Sequence, residues 1–374
     1  MKTQHRVIVT DSRNMNAMND NSVDLVVTSP PYPMIEMWDG LFSRLSPESA
    51  DALDKGDGNR AFEAMHAELD KVWLDLGRVL KPGAFACINI GDATRTIDGR
   101  FRLYSNHSRI IAAFRALGFD CLPVVLWRKQ TNAPNKFMGS GMLPSGAYVT
   151  LEHEYVLIFR KGAKRQFRSD TEKSERMRSA FFWEERNKWF SDVWDFKGTV
   201  QGLNHSELRS RSGAYPFELA YRLVHMYSLY GETVLDPFLG TGTTTLASIA
   251  CGRNSIGMEI DPAFSSLILH QAASFLKEAN RVVETRISDH SQFIKVHSQS
   301  KGPVKYVNEP HGFPVVTRQE TGMQLYRVSE VVKSADATIE ASYQPVGRLD
   351  DLASEEKEKA VLRNMGAGQA MLDL

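Results

Sequence analysis

Apolar and polar residues follow two rhythms along the chain. Short β-branched runs at Arg6–Thr10 and Val23–Thr28 are bounded by Asp, Asn, Ser and Pro, and both read as buried strands. From Ala61 to Leu80 the apolar residues Phe62, Met65, Leu69, Val72, Trp73, Leu76, Val79 and Leu80 recur at three- and four-residue spacing, and Lys81-Pro82-Gly83 stops them. That spacing predicts an amphipathic helix. A strand over Ala84–Ile90, a helix over Ser105–Leu117, and strands over Cys121–Arg128 and Tyr155–Phe159 follow. After Gly213 the pattern gives helix Pro216–Leu229, strand Thr233–Leu235, a Gly/Thr loop, helix Thr243–Cys251, strand Ser255–Met258 and helix Ala263–Ala279. This alternation predicts an α/β fold, a mostly parallel, doubly wound sheet with helices on both faces. From Asp289 onward the chain reads as short strand-like pieces and then a polar tail.

Residues Arg160 to Arg211 break the rhythm. They hold thirteen Lys/Arg against eight Asp/Glu, so positive charge gathers there although the whole chain is neutral, with 45 of each sign. Phe181, Phe182, Trp183, Trp189, Phe190, Trp194 and Phe196 are interleaved with Arg186 and Lys188, which suits either a small aromatic core or contact with a polyanion. Four parts follow: 1–160, a basic insert 161–211, 212–289, and a C-terminal appendage 290–374 without a functional reading. Composition excludes collagen-like, coiled-coil and wholly disordered classes. Cys87, Cys121 and Cys251 are far apart, odd in number and lack ligand spacing, which argues against disulfides and a metal site. No apolar run nears the ~20 residues that cross a bilayer, so no membrane role and a cytoplasmic location are expected.

Two motifs carry chemistry. Thr28-Ser29-Pro30-Pro31-Tyr32 leaves a buried strand at the sheet edge where α/β proteins place ligands. Its prolines remove two N–H donors, so the turn offers carbonyl acceptors, a hydroxyl and a ring. Such a turn suits a substrate that donates hydrogen bonds, as the exocyclic amine of a nucleobase does. The Ser29 hydroxyl and the Pro30 carbonyl would hold both amine hydrogens and aim the lone pair, with Tyr32 stacked on the base. An ordinary Pro-Pro turn reads equally well from these residues alone. The second motif, Asp236-Pro237-Phe238-Leu239-Gly240-Thr241-Gly242-Thr243-Thr244, joins a strand to a helix through glycines that permit close approach of a ligand. No Gly-Lys-Ser/Thr follows, so it is not a Walker loop. Glu259, after the next strand, stands where such folds put a carboxylate on ribose hydroxyls. A nucleoside ligand without a polyphosphate is favoured.

TSPPY, RVLKPGAF, VVLWRKQ, EHEYVLIFRKG, YPFELAYRLVHMYSLYGETVLDPFLGTGTTTLAS and IGMEID, in that order over residues 6–280, resemble the S-adenosylmethionine-dependent DNA amino-methyltransferases of restriction-modification systems, in the motif order called the β group. The resemblance implies a Rossmann-like methyltransferase fold and S-adenosylmethionine as cofactor, without a metal. It implies that Asp236, Phe238, Gly240, Gly242 and Thr243 cradle the methionine end, that Glu259 binds the ribose, and that Asp11 lies beside the adenine amino group. Arg211-Ser212-Gly213-Ala214-Tyr215-Pro216 aligns with a segment that contacts the methionine carboxylate. Arginine and serine replace its usual histidine and proline, leaving Ser212 and Gly213 to act through their backbone amides. Serine at the head of the Ser29–Tyr32 tetrapeptide is similar to N4-cytosine enzymes, whereas adenine-N6 relatives usually carry aspartate there. Trp127 falls where the family has a ring near the extruded base, and a buried structural tryptophan fits that position as well. Target recognition would fall in the basic insert, with Lys164, Arg165, Arg168, Arg186 and Lys188 on double-stranded DNA.

The leading expectation is therefore a site-specific N4-cytosine DNA methyltransferase acting by base flipping and direct amine attack. A cognate restriction endonuclease would act on the same site without direct contact. Adenine-N6 methylation, RNA methylation and a catalytically inactive nucleic-acid-binding protein are the alternatives. Cytosine-C5 chemistry needs a nucleophilic cysteine, usually after proline, and no cysteine here follows one.

Overall fold

The computed structural model describes residues 1–129, 138–139, 143–197, 215–334 and 337–348. The strands of the main sheet are numbered in chain order: β1 Lys2–Val9, β2 Val23–Thr28, β3 Leu80–Ile90, β4 Asp120–Cys121, β5 Val125–Arg128, β6 His153–Arg160, β7 Val193–Asp195, β8 Thr233–Asp236, β9 Asn254–Glu259, β10 Tyr326–Lys333 and β11 Thr338–Pro345. They lie in the order β7-β5-β6-β3-β2-β8-β9-β1-β11-β10, with β4 beside β6. Pairing is parallel from β3 through β2, β8 and β9 to β1, and again between β5 and β7. Strands β6 and β11 run against both of their neighbours.

All six residues of β2 are buried. Alternate residues of a strand point to opposite faces, and here they enter two cores. Val26 joins Met65, Leu69, Val72, Trp73 and Leu76 of helix Gly58–Val79, while Leu25 and Val27 join Leu219, Ala220, Leu223 and Val224 of helix Phe217–Tyr227. The long helix starts where the Asp57 side chain accepts from the Arg60 amide at 3.1 Å, and it ends as the chain turns into β3. Because the central strands are parallel, Val9, Thr28, Ile90, Asp236 and Glu259 all finish at one edge, called the carboxyl edge below. Strand β6 is reversed, so His153 and Glu154 begin there.

Several expectations are corrected. The run Cys121–Arg128 is two short strands, because Pro123 between them has no N–H for a ladder. A hairpin at Ala93–Ile97 and Arg100–Tyr104 turns at Asp98-Gly99, both with positive φ. The expected helix Ala263–Ala279 is two helices, Pro262–Ser274 and Leu276–Lys301, so the chain stays helical past Asp289 to Lys301, and the expected strand pieces begin only at Tyr306. Within the expected appendage, β11 joins the main sheet, pairing with β1 from Lys2↔Ser342 to Arg6↔Thr338. The middle of the insert packs on the same region. Arg286 donates to both Glu185 oxygens at 2.5 and 2.8 Å, Glu184 meets His290 Nδ1 at 2.7 Å, and the Phe182 ring stacks on His290 at 3.8 Å. Most of the insert's aromatic rings are thus core.

Candidate active site

A cavity of about 740 Å³ opens at the carboxyl edge. Ser29, Pro30, Pro31 and Tyr32 line one side, and Phe238, Leu239, Gly240, Thr241 and Thr243 line the other. Asp11 and Glu259, at the ends of β1 and β9, and Trp38, Phe42, Leu69 and Val72 complete the wall. Two motifs about 200 residues apart meet because β2 and β8 are parallel neighbours, Leu25 opposite Val234 and Val26 opposite Leu235.

Around the tetrapeptide, Tyr32 Oη donates to Glu154 Oε2 at 3.0 Å and receives Asn89 Nδ2 at 2.8 Å, and Ser29 Oγ lies 3.0 Å from the same phenol oxygen. Asn89 Nδ2 also reaches Glu154 Oε2 at 2.6 Å, and Lys129 Nζ pairs with Glu154 Oε1. Burial, reinforced by the Glu154 charge, pushes the Tyr32 phenol well above its ordinary pKa, so it stays protonated. Glu154, Asn89 and Lys129 were not singled out from the sequence. The available signal was Glu154 itself, a carboxylate inside the otherwise apolar strand HEYVLIF.

On the other side, Gly242 caps helix Thr243–Cys251 with φ +86°, and a Cβ there would stand 2.9 Å from Ile268 Cγ2. It serves the turn and the close packing, while Gly240, at φ +52°, is the glycine on the cavity wall. Glu259 Oε2 accepts from the Gly240 amide at 2.8 Å and Oε1 from the Asp261 amide at 2.9 Å. Burial raises its carboxyl, and those two amides oppose the rise. Asp236 does not reach the cavity. It is 1% exposed, and its oxygens accept from Thr28 Oγ1, the Phe238 amide, Thr244 Oγ1 and Tyr215 Oη. It ties the glycine loop to the strand that carries the tetrapeptide. Asp11 lines the cavity with its carboxylate clamped by Arg13, which donates from Nε at 2.9 Å and Nη2 at 2.6 Å. Burial acts upward on that carboxyl, but the guanidinium outweighs it and holds it below the usual range. Arg13 also reaches Glu68 at 2.6 Å, a contact the sequence reading missed.

The remaining candidates are not brought here. Trp127 is 1% exposed inside a core cluster, its indole N–H donating to the Phe196 carbonyl at 3.1 Å, and it does not line the cavity. Lys164 and Arg165 follow the far end of β6. Arg165 packs on the Gly83 turn and pairs with Glu232, which precedes β8, so both belong to the opposite, amino edge. Arg186 lines the same groove there. Arg168 and Lys188 are exposed, and neither lines the cavity. Ser212 and Gly213 lie outside the described residues. Among the described residues no helix is long and apolar enough to cross a membrane.

The sequence matches the N6/N4 DNA methylase family over residues 23–270. A type II methyltransferase of Methanothermobacter thermautotrophicus, M.MthZI, is 53% identical over 348 residues, 92% of this chain and 97% of the relative. M.MjaI of Methanocaldococcus jannaschii, also a type II methyltransferase, is 49% identical over 71% of this chain and 90% of its own. Among solved structures, a Thermus thermophilus protein assigned as a DNA modification methylase, complexed with S-adenosylmethionine, is 32% identical with a TM-score of 0.54, covering 74% of this chain and 96% of that one.

Proposed function

The chain belongs to the N6/N4 DNA methylase family, and on that premise we propose that it methylates the exocyclic N4 of cytosine in a short duplex DNA sequence, after turning the target base out of the helix. The protein is a type II DNA methyltransferase whose methyl donor is S-adenosylmethionine. The observation that carries the choice of base is Ser29 at the head of the tetrapeptide, a neutral hydroxyl at the position where the adenine-N6 pattern has aspartate.

The glycine-loop half of the cavity fits the donor. A carboxylate has about four lone-pair positions, and Glu259 spends two on backbone amides, leaving two for ribose hydroxyls. Gly240 puts no side chain in the way, and Phe238 and Phe264 give apolar flanks. The donor supplies a methyl group on a positive sulfonium, which leaves as a neutral thioether. The protein's part is placement: the Ser29 hydroxyl and Pro30 carbonyl accept the amine hydrogens and point the nitrogen lone pair across the cavity. A base within a duplex cannot reach a cavity floor, which is why extrusion belongs to the reading. The duplex would approach the carboxyl edge, where Arg128 ends β5, Lys129 follows it, and Asp195 ends β7. A restriction endonuclease of the same specificity is the implied companion.

Mass spectrometry of nucleosides from DNA of cells expressing the protein tests the reading. N4-methylcytosine is expected, and N6-methyladenine in its place would overturn the choice of base.

A further inference from the structure

The contacts around Tyr32 form a chain with a direction. A phenol has one hydrogen, and Tyr32 gives it to the Glu154 carboxylate, which can only accept. Tyr32 Oη is then the acceptor for its two other neighbours, Asn89 Nδ2 and Ser29 Oγ. The Ser29 hydrogen is therefore engaged by Tyr32, and the Ser29 lone pairs are left for the substrate. Gly91 makes the chain compact, since a Cβ there would come within 3.1 Å of Tyr32 Cε2 and 3.3 Å of Glu154 Cγ. Glu154 is 8% exposed, and its other oxygen is held by Lys129.

We propose that Glu154 is the final proton acceptor of the methyl transfer, reached from the target amine through Ser29 and Tyr32. The proposal rests on amine methylation at the tetrapeptide and is indifferent to which base carries the amine. As the nitrogen lone pair forms its bond to carbon, the carbon–sulfur bond breaks and its electron pair stays on sulfur. The nitrogen, now positive, releases one proton to Ser29 Oγ. Ser29 passes its own to Tyr32 Oη, and Tyr32 passes its own to Glu154 Oε2. At the end the thioether left by the donor, the methylated amine and Glu154 are all neutral, so one positive and one negative charge have cancelled. Tyr32 never becomes a free phenolate, in keeping with a phenol whose ionisation burial and Glu154 both oppose. Glu154 acts through the two hydroxyls. The groups facing it are Tyr32 and Asn89 at one oxygen and Lys129 at the other.

The test is the single-turnover methylation rate, with donor affinity by calorimetry and base extrusion by 2-aminopurine fluorescence as controls. Tyr32→Phe keeps the ring and removes the relay, and Glu154→Gln keeps the shape and removes the acceptor. Each should lower the rate about a hundredfold, the scale of general acid–base effects, with donor affinity and extrusion unchanged. Glu154→Asp, which keeps a carboxylate, should regain part of the rate that Glu154→Gln loses. A dead Ser29→Ala beside Tyr32→Phe and Glu154→Gln with wild-type rates would sink the relay while leaving the amine site intact. A fully active Ser29→Ala would instead remove the site on which the relay depends. If Glu154→Gln fails to fold, the Tyr32→Phe rate decides alone.

Discussion

Replacing Asp236 by alanine and by asparagine separates the charge of this carboxylate from its geometry. Oδ1 accepts from Thr28 Oγ1 at 2.5 Å and the Phe238 amide at 3.0 Å, and Oδ2 accepts from Thr244 Oγ1 at 2.6 Å and Tyr215 Oη at 3.2 Å. Burial pushes its carboxyl upward while these bonds pull the other way. Alanine leaves three hydroxyls and one amide around a void. The hydroxyls can turn, and Thr244 has the Val27 carbonyl at 3.3 Å as a second acceptor, but the Phe238 amide is fixed. Removing one partner of a buried charged network costs roughly 3–5 kcal/mol, a large part of a typical ~5–15 kcal/mol stability. Asparagine keeps Oδ1 for Thr28 and Phe238 and presents an NH₂ to two hydroxyls that can rotate to accept, so about 1 kcal/mol is at stake. Calorimetric titration with S-adenosylmethionine should find Asp236→Asn within about fivefold of wild type and Asp236→Ala weaker by about a hundredfold or more, because the loop that lines the cavity loses its tether. Equal damage from both would mean the charge itself serves the donor, and a wild-type alanine variant would refute the tether.

Gly242→Ala should lower the melting temperature and donor affinity together, since φ +86° and a Cβ 2.9 Å from Ile268 cost about 1–2 kcal/mol or more; unchanged melting would contradict the packing. Acid should weaken the fold below pH 6.5, because burial holds His5 and His66 at about 3. The unfolded chain binds those protons first, so the contribution of each histidine is intact above 6.5 and lost toward 3, up to ~1.4 kcal/mol per pH unit. Urea unfolding across that range checks the slope, which should be shallower in His66→Gln. Neutralising Lys164, Arg165 and Arg168 together should leave the salt dependence of DNA binding nearly unchanged, given the amino-edge position of Lys164 and Arg165. A slope shallower by about 0.9 for each residue would place the duplex there after all.

The parallel core was legible because its strands are buried on both faces and its helices carry uninterrupted stripes, as β2 and helix Gly58–Val79 show. Helix Leu276–Lys301 was lost for the opposite reason. Its buried stripe is Ala279, Val283, Arg286 and His290, two of which read as polar until Glu185 and Glu184 arrive from the insert to pair with them. A charge neutralised by a residue a hundred positions away cannot be recognised from its own neighbourhood. The same limit explains the insert: its net charge was visible, but the sequence did not disclose that β6 runs backward and delivers Lys164 and Arg165 to the far edge.

The site itself was half legible. Motifs whose chemistry is local, the Pro-Pro turn and the glycine loop, stand out in sequence. The groups that join them do not, because Thr28 meets Asp236 across 208 residues and Tyr32 meets Glu154 across 122. Those two contacts give the site its coupling. Thr28 is adjacent to Ser29, so the bond to Asp236 fixes the start of the tetrapeptide to the loop that lines the donor side, and movement of one shifts the other. Chain order of the motifs is then immaterial, since any order that leaves β2 beside β8 brings the same two edges together. Direction of the strand carrying Glu154 is not immaterial: were β6 parallel to β3, Glu154 would start at the amino edge and Tyr32 would lose its acceptor.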